Sequence, residues 1–324
     1  MNILVTGCAG FIGFHLSKKL IEEGHTVYGI DNLNNYYDVK IKINRINILK
    51  KLKKKNNLFH FNKIDISKYN NLKNYFKNKK ISVIVNLAAQ AGVRYSINNP
   101  KDYFNSNIIG FFNILQIAKK NKIKHLLYAS TSSVYGDSKK MPFEENSMNC
   151  KPIQFYAATK ISNESMAISY SNIYGIKTTG FRFFTVYGPW GRPDMALYKF
   201  SKNILENKPI NVYNFGNHTR DLTYIDDIVS GIYNSIVLKT DYKFEVFNLG
   251  NTRSISLKKI IQILKKHYQK KIKIKYLKLQ KGDIKDTKSN ISKAKKIIKF
   301  SPKTNAETGL KNFCNWFKNY HENK

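Results

Sequence analysis

A glycine-rich segment near the N-terminus constrains the fold more than any other feature of the sequence. It runs from Gly7 to Gly13, directly after the apolar stretch Asn2–Thr6 and at the start of the amphipathic stretch Phe11–Glu23. Glycines in such a turn let a pyrophosphate approach the free N–H groups at a helix start, although a glycine turn alone can simply join two elements. Asp31 ends the next apolar stretch, 18 residues after Gly13, where a carboxylate meets the ribose hydroxyls of a dinucleotide. The spacing therefore predicts a dinucleotide site, and a carboxylate that repels a 2′-phosphate favours NAD over NADP.

Short apolar stretches alternate with helical patterns through the first half of the chain. Strands are predicted at Asn2–Thr6, Thr26–Ile30, Leu58–Asn62, Val83–Leu87, His125–Ser130 and Lys177–Phe183. Helices are predicted at Phe11–Glu23, Lys40–Lys54, Pro100–Lys120 and Phe155–Ile173. This alternation is typical of a parallel sheet covered by helices on both faces. The predicted fold class is therefore α/β, a doubly wound parallel sheet of the Rossmann type.

Beyond Gly188 the pattern loosens into shorter elements, which predicts a smaller C-terminal α/β domain for the substrate. We expect an NAD-binding domain over residues 1–185 and a substrate domain over 186–324, with 226–250 returning to the first. The alternating Lys and Ile of Lys270–Tyr276 predict a half-exposed edge strand. Further helices are predicted at Ala196–Asn207, Asp226–Leu238, Ser256–Tyr268 and Thr308–Tyr320.

The formal net charge of +35 comes almost entirely from lysine, because only six of the 56 basic residues are arginine. The chain is also crowded with Asn and Ile, a bias that a genome poor in G and C would produce. A nucleic-acid-binding protein is the leading non-enzyme alternative, since lysine clusters can neutralise phosphates. These clusters are Lys50-Lys51, Lys53–Lys55 and Lys270-Lys271. No recognition-helix, OB-fold or RRM motif accompanies them, so no specific nucleic-acid partner is expected.

The three cysteines, Cys8, Cys150 and Cys314, are too few and too scattered for a disulfide framework or a zinc site. Neither a C-x-x-C pair nor an H-E-x-x-H motif occurs, so no metal site is predicted, and a reducing compartment is expected. The N-terminus has no basic leader, and no stretch reaches the roughly 20 apolar residues that a spanning helix needs. We expect a soluble, cytoplasmic protein with no membrane partner.

Tyr156 and Lys160 lie one helical turn apart in the predicted helix Phe155–Ile173. An ammonium beside a phenol lowers the pKa of the phenol and makes it a usable base near neutral pH. The spacing also fits an ordinary exposed helix face. A run of hydroxyl side chains, Ser130–Ser133, ends the preceding apolar strand, and the carboxyl ends of parallel strands are where such sheets bind ligands.

Taken together, these segments resemble the extended short-chain dehydrogenase/reductase family, and within it the nucleotide-sugar epimerases, closest to the UDP-glucuronate 4-epimerases. The resemblance runs from residue 1 to about 250. The matching segments are Ile3–Gly13, Gly29–Asn34 with Tyr36–Asp38, Asn86–Ser96, Tyr156–Lys160, Arg182–Met195 and Arg220–Asp227.

The resemblance implies a UDP-sugar substrate and a hydride shuttle that leaves NAD unchanged overall. Tyr156 would exchange the proton of the sugar 4-hydroxyl, Thr131 would bind the 4-oxygen, and Lys160 would bind the nicotinamide ribose and lower the pKa of Tyr156. The implied NAD-binding residues are Gly7, Gly10, Phe11, Ile12, Gly13, Asp31, Asn32, Asn34, Asp65, Ile66, Leu87, Ala88, Ala89, Gln90, Tyr156 and Lys160. The implied substrate-binding residues are Arg94, Ser132, Ser133, Tyr156, Thr185, Arg192 and Arg220, of which Arg220 would bind the UDP phosphates.

Three positions favour a uronate sugar and plain epimerisation. Ser132 and Ser133 stand where related dehydratases and decarboxylases carry an acid, and Thr185 stands where UDP-galactose epimerases commonly carry Asn. These hydroxyls, with Arg192, could bind a C6 carboxylate. A UDP-glucose/galactose 4-epimerase is the alternative enzyme. Relatives pair two helices per subunit, here those near Pro100–Lys120 and Phe155–Ile173, so a homodimer is expected.

Overall fold

The computed structural model describes residues 1–52, 56–146, 151–280 and 282–322. The predicted lysine cluster Lys53–Lys55, the end of the predicted helix Lys40–Lys54, and Cys150 lie outside the described residues. The strands are β1 (Asn2–Thr6), β2 (Thr26–Asp31), β3 (Phe59–Lys63), β4 (Val83–Asn86), β5 (His125–Thr131), β6 (Lys177–Phe183), β7 (Thr185–Tyr187), β8 (Ile210–Tyr213), β9 (Thr219–Tyr224), β10 (Phe244–Leu249), β11 (Ser254–Ser256) and β12 (Ile274–Leu277).

Twelve α-helices cover these strands in the described part of the chain. They are α1 (Phe11–Glu22), α2 (Val39–Lys51), α3 (Tyr69–Phe76), α4 (Tyr95–Asn98), α5 (Pro100–Tyr103), α6 (Gly110–Lys120), α7 (Phe155–Tyr174), α8 (Ala196–Leu205), α9 (Ile225–Val237), α10 (Leu257–Tyr268), α11 (Ser292–Ile298) and α12 (Ala306–Glu322). None of the described helices is both long enough and apolar enough to span a bilayer.

Seven parallel strands form the central sheet, in the order β3-β2-β1-β4-β5-β6-β10. In β1 the side chains of Ile3 and Val5 belong to the hydrophobic core on one face, and Leu4 belongs to that on the other. Strands buried on both faces need helices on both faces. The predicted doubly wound parallel sheet is confirmed. Its order reverses between β1 and β4, and such a switch point opens a crevice at the carboxyl ends of the strands.

Two small sheets lie outside the central one. β7, β9 and β11 form the first, and β8 pairs with β12 in the second. The predicted strand Lys270–Tyr276 is shorter than expected, because only Ile274–Leu277 pairs with the parallel strand β8. β10, although late in the chain, pairs with β6 in the central sheet.

The predicted helix Pro100–Lys120 is wrong in its middle, where Phe104–Ile109 forms a π-helix between α5 and α6. The wide turn carries Asn107, a buried side chain. Its Oδ1 accepts from the Gln90 N–H at 2.8 Å, and its Nδ2 donates to the Gln90 carbonyl and to Thr159 Oγ1, each at 3.1 Å. Single π-helical turns are frequent next to functional sites. Here the turn fixes the backbone at Gln90, in the segment that follows β4.

A buried ion pair attaches α7 to the central sheet. Arg182 of β6 donates from Nε and Nη2 to the two carboxylate oxygens of Glu164, at 3.0 and 2.8 Å. Glu164 also accepts from the Ser130 hydroxyl at 2.5 Å. The side chains of Arg182 and Glu164 are only 7% and 13% exposed. Because each charge is desolvated, each depends on the other for compensation.

Glu164→Ala should lower the free energy of unfolding by about 3–5 kcal/mol, since it leaves the Arg182 guanidinium buried without its carboxylate. Urea denaturation followed by circular dichroism measures this loss. Glu23→Ala is the matched control, because Glu23 pairs with Lys19 on the surface and surface pairs contribute little. Equal midpoints for the Glu164 variant and the control would contradict the prediction.

Candidate active site

A cleft of about 560 Å³ opens at the carboxyl ends of the central strands. Its walls come from the turns after β1, β2, β4 and β5, the start of α7, and the β7–α8 loop (residues 188–195). This is the position that the strand order predicts for a ligand.

The glycine turn between β1 and α1 forms one wall of the cleft. A Cβ atom on Gly13 would lie 2.1 Å from the Gly7 carbonyl oxygen, and one on Gly7, whose φ is +69°, would lie 2.8 Å from the Ala88 nitrogen. Only glycine allows this close packing. No side chain caps α1, so its first N–H groups remain open to an anion.

Asp31 at the end of β2 holds the glycine turn from the side. Its Oδ2 accepts from the Ala9 N–H at 3.2 Å, and its Oδ1 accepts from the Leu33 N–H at 2.8 Å. Burial raises the pKa of Asp31, and the nearby Lys42 charge opposes that rise. The turn and this carboxylate together fit the pyrophosphate and the ribose of a dinucleotide.

Every predicted NAD-binding residue contributes to the lining of the cleft. Along the chain they are Gly7, Gly10, Phe11, Ile12, Gly13, Asp31, Asn32, Asn34, Asp65, Ile66, Leu87, Ala88, Ala89, Gln90, Tyr156 and Lys160. Asn32 also donates to Asp65 at 3.1 Å, which links the ends of β2 and β3.

Thr131, Tyr156 and Lys160 lie together where β5 ends and α7 begins. The Thr131 side chain lies close enough to the Tyr156 hydroxyl to lower its pKa. Lys160 Nζ donates to the Ala129 carbonyl at 3.0 Å, and burial lowers the pKa of Lys160 to about 8. Tyr156 and Lys160 therefore line the cleft and do not belong to an ordinary exposed helix face.

Burial and a nearby charge act on the pKa of Tyr156 in opposite directions. Burial raises the pKa of Tyr156, and the Arg192 charge, followed by the Thr131 side chain, lowers it. Arg192 is thus a second cation, besides the predicted Lys160, whose charge favours the phenolate. That Lys160 lowers the pKa of Tyr156 stays a prediction.

Arg192 pairs with a carboxylate that also binds a phenol, and neither of these two residues was predicted as a site residue. Its Nε and Nη2 donate to the two oxygens of Asp194, at 3.0 and 2.5 Å. Tyr36 donates to Asp194 Oδ2 at 3.2 Å. Burial would raise the pKa of Asp194, but the Arg192 charge holds it below the usual value. Both residues lie in segments that matched the family, so the sequence did contain a signal for them.

The predicted sugar-binding hydroxyls meet at the same end of the cleft. Ser132, Ser133 and Thr185 all contribute to its lining. Thr131 Oγ1 accepts from the Ser133 N–H at 3.2 Å and donates to the Ser133 hydroxyl at 3.3 Å, which fixes the turn after β5.

Two of the predicted substrate-binding arginines have partners within the protein. Arg94 lies at the rim of the cleft, where Nη2 donates to Asp283 at 2.6 Å. Arg220 is not brought to the cleft lining. Its guanidinium donates to the backbone carbonyls of Thr219, Ile284 and Lys285. That Arg220 binds the UDP phosphates stays a prediction.

The fold and the cleft together define a Rossmann-type enzyme that uses a dinucleotide, with a Tyr–Lys pair beside the dinucleotide site. The chain belongs to the NAD dependent epimerase/dehydratase family, whose sequence profile matches residues 3–250. It is therefore an NAD-dependent nucleotide-sugar epimerase.

Proteins of known name match the whole chain. A UDP-glucuronate 4-epimerase of Thermodesulfobacterium geofontis is 44% identical, over 97% of this chain and 95% of that protein. UDP-glucuronate 4-epimerase 4 of Arabidopsis thaliana is 41% identical, over 99% of this chain and 76% of that protein. The crystal structure of UDP-glucuronic acid 4-epimerase from Bacillus cereus, in complex with UDP-glucuronic acid and NAD, superposes with a TM-score of 0.92. The two chains are 34% identical, and the match covers 99% of this chain and 100% of the Bacillus cereus chain.

Arg192→Gln should raise the pKa of the Tyr156 phenol, because it removes the positive charge that favours the phenolate. The measurement is a pH titration of the ¹³Cζ resonance of labelled tyrosine, with Tyr156 assigned by its absence from the Tyr156→Phe spectrum. The exposed Arg253 supplies the control, Arg253→Gln, which should leave the titration unchanged. An unshifted curve for Arg192→Gln would show that its charge does not reach Tyr156.

Proposed function

We propose that the protein interconverts UDP-glucuronate and UDP-galacturonate by epimerisation at C4 of the sugar. The observation that carries this proposal is that Thr131, Tyr156 and Lys160 line the same cleft as Thr185 and Arg192. The first three have the chemistry to move a proton at the sugar 4-oxygen, and the others have the chemistry to recognise a carboxylate.

NAD bound at the glycine turn would supply the acceptor for the C4 hydride and the donor for its return to the other face of the sugar. Tyr156 would take the proton from the 4-hydroxyl as it is oxidised and give it back as the 4-keto group is reduced. Thr131, which lines the cleft beside Tyr156, would hold the 4-oxygen and help to relay the proton. Lys160, fixed by the Ala129 carbonyl, would hold the nicotinamide ribose. Asp31 would receive the adenosine ribose hydroxyls.

The remaining polar side chains of the cleft can bind a carboxylate on C6 of the sugar. Ser132, Ser133 and Thr185 carry hydroxyls that can donate to it, and Arg192 can pair with it or cover it. A 4-keto uronate is a β-keto acid that readily loses carbon dioxide. We propose that these hydroxyls hold the carboxylate away from the geometry that allows this loss. The absence of an acid at positions 132 and 133 fits a reaction that stops at epimerisation.

UDP-glucose/galactose 4-epimerisation is the alternative reaction, and the polar cluster argues against it. A neutral CH₂OH group carries no charge for a guanidinium to pair with, whereas a C6 carboxylate does. In this structure Arg192 is compensated by Asp194, so a substrate carboxylate would join an existing charge pair.

We propose that residues 1–185, with 226–250, hold NAD and that the rest of 186–324 holds the UDP-sugar. The pairing of β10 with β6 supports placing 226–250 with the NAD-binding part. Free thiols at Cys8 and Cys314 fit a reducing compartment, so we place the enzyme in the cytoplasm. UDP-galacturonate made there would supply glycosyl transfer in polysaccharide biosynthesis.

The direct test incubates the purified protein with UDP-glucuronate and no added NAD, and follows the anomeric proton signals by NMR. We expect UDP-galacturonate to appear, because the cofactor is regenerated in each turnover and can remain bound through purification. Tyr156→Phe should lower kcat by roughly 10²–10⁴-fold, the usual contribution of a positioned acid–base group.

UDP-glucose is the control substrate in the same experiment, and NAD is added if the purified protein is inactive alone. Turnover of UDP-glucose without turnover of UDP-glucuronate would contradict the assignment of Thr185 and Arg192 to a carboxylate. It would not contradict the proposed role of Tyr156 as the group that takes and returns the proton.

We also propose that the protein is a homodimer that pairs through α6 and α7. These two helices pack together and expose large apolar side chains of Phe112 and Ile168, which are 43% and 40% exposed. Apolar surface of this kind marks an association site.

Sedimentation equilibrium should give twice the chain mass of 37.6 kDa for the wild type, and the mass of one chain for Phe112→Glu/Ile168→Glu. Ile43→Glu is the control, because Ile43 is equally exposed, at 43%, but lies on α2. A wild type that sediments as one chain would contradict the dimer.

A further inference from the structure

Arg45 of α2 is a fully buried arginine that the proposed reaction does not use. It is 0% exposed and is among the largest completely buried side chains. In the described part of the chain it forms no ion pair with a carboxylate, and its Nε has no hydrogen-bond partner. Buried charges are normally paired, so this position requires an explanation.

The Arg45 guanidinium joins two parts of the cleft. Nη1 donates to the Ala9 carbonyl in the glycine turn at 2.7 Å and to the Tyr37 hydroxyl at 3.1 Å. Nη2 donates to the Trp190 carbonyl at 2.5 Å and to the Gly191 carbonyl at 3.4 Å. One planar group therefore bridges the glycine turn and the β7–α8 loop. The carbonyl dipoles around it replace the carboxylate that a buried cation otherwise needs.

The loop residues that Arg45 binds come directly before Arg192. On the N-terminal side, His15 is hydrogen-bonded to the Pro189 carbonyl at 2.9 Å. On the C-terminal side, Asp194 accepts from Tyr36. Arg192 thus lies between two anchored stretches of backbone, and the stretch before it is held by Arg45. A shift of the carbonyls at 190 and 191 would carry Arg192 with it.

We propose that Arg45 is a positioning residue for substrate recognition, which fixes the β7–α8 loop against the glycine turn so that Arg192 meets the sugar carboxylate. This inference rests on the proposed function, in which Arg192 recognises a uronate. The guanidinium is required because its fork reaches both carbonyl groups at once, whereas the single ammonium of lysine is a point donor. Arg45 touches neither the sugar nor the reacting atoms, and it acts through the loop.

The test measures dissociation constants by calorimetry in full-length, NAD-containing protein, with Tyr156→Phe as the background to stop turnover. In that background we expect Arg45→Lys to raise the dissociation constant of UDP-glucuronate about tenfold, the effect of one displaced charged contact. The dissociation constant of UDP, which has no carboxylate to meet Arg192, should change less than about twofold. Arg253→Lys is the matched control, since Arg253 is exposed, and it should change neither value.

A second comparison connects the effect to Arg192. Arg192→Lys should also weaken UDP-glucuronate binding, and adding Arg45→Lys to it should cause no further loss, because residues that act through one contact are not additive. Two outcomes would overturn the proposal and leave Arg45 with a purely structural role. One is an equal rise in the dissociation constants of UDP and UDP-glucuronate in Arg45→Lys. The other is full additivity of the effects of Arg45→Lys and Arg192→Lys on UDP-glucuronate binding. If the parent protein binds UDP-glucose as tightly as UDP-glucuronate, the proposed function itself fails, whatever Arg45 does.

Tyr37→Phe covers the case in which Arg45→Lys does not fold. It removes one acceptor of the Arg45 fork and leaves the guanidinium and its carbonyl partners in place. We expect a smaller rise, about two- to threefold, in the dissociation constant of UDP-glucuronate alone. Unchanged UDP-glucuronate binding in a folded Tyr37→Phe protein would count against the proposal.

Discussion

The whole cleft depends on the close contact of backbone with backbone where the turn after β1 crosses the end of β4. Gly7 packs against Ala88, and Gly13 packs against the Gly7 carbonyl, at distances that leave no room for a side chain. This contact brings the start of α1 to the point where the sheet order reverses. It also directs the Ala9 N–H toward Asp31 and the Ala9 carbonyl toward Arg45. Dinucleotide recognition and the position of the β7–α8 loop therefore begin from the same turn.

The periodicity of the sequence was sufficient to predict six of the seven strands of the central sheet, all but β10, and much of the cleft. The carboxyl ends of parallel strands meet at one edge of the sheet, so Gly7, Asp31, Leu87 and Thr131 were predictable from their positions at or directly after the ends of β1, β2, β4 and β5. The π-helix at Phe104–Ile109 was not, because the wide turn is stabilised by the contacts of Asn107 with residues distant in the chain. The local sequence pattern does not reveal contacts between residues that are distant in the chain.

The partners of the arginines also could not be predicted from the sequence. The sequence marks Arg94, Arg182, Arg192 and Arg220 as members of matching motifs but cannot tell what each guanidinium binds. In the structure Arg192 pairs with Asp194, and Arg220 binds backbone carbonyls instead of facing the cleft. Arg45, which could have been an ordinary helix-face residue, is completely buried. Partner choice depends on tertiary packing, and the planar fork serves wherever several acceptors must be met at once.

The surroundings of the β7–α8 loop have a spectroscopic consequence. The chain contains two tryptophans, Trp190 and Trp316, and their ring centroids are 5.6 Å apart. Trp190 belongs to the loop itself, and Trp316 belongs to α12, on which the loop packs. Indole emission depends on the immediate surroundings of the ring, so the tryptophan fluorescence of this protein reports on the β7–α8 loop and on α12 where the two meet. The enzyme thus carries a native optical probe of the loop, one that needs no added label.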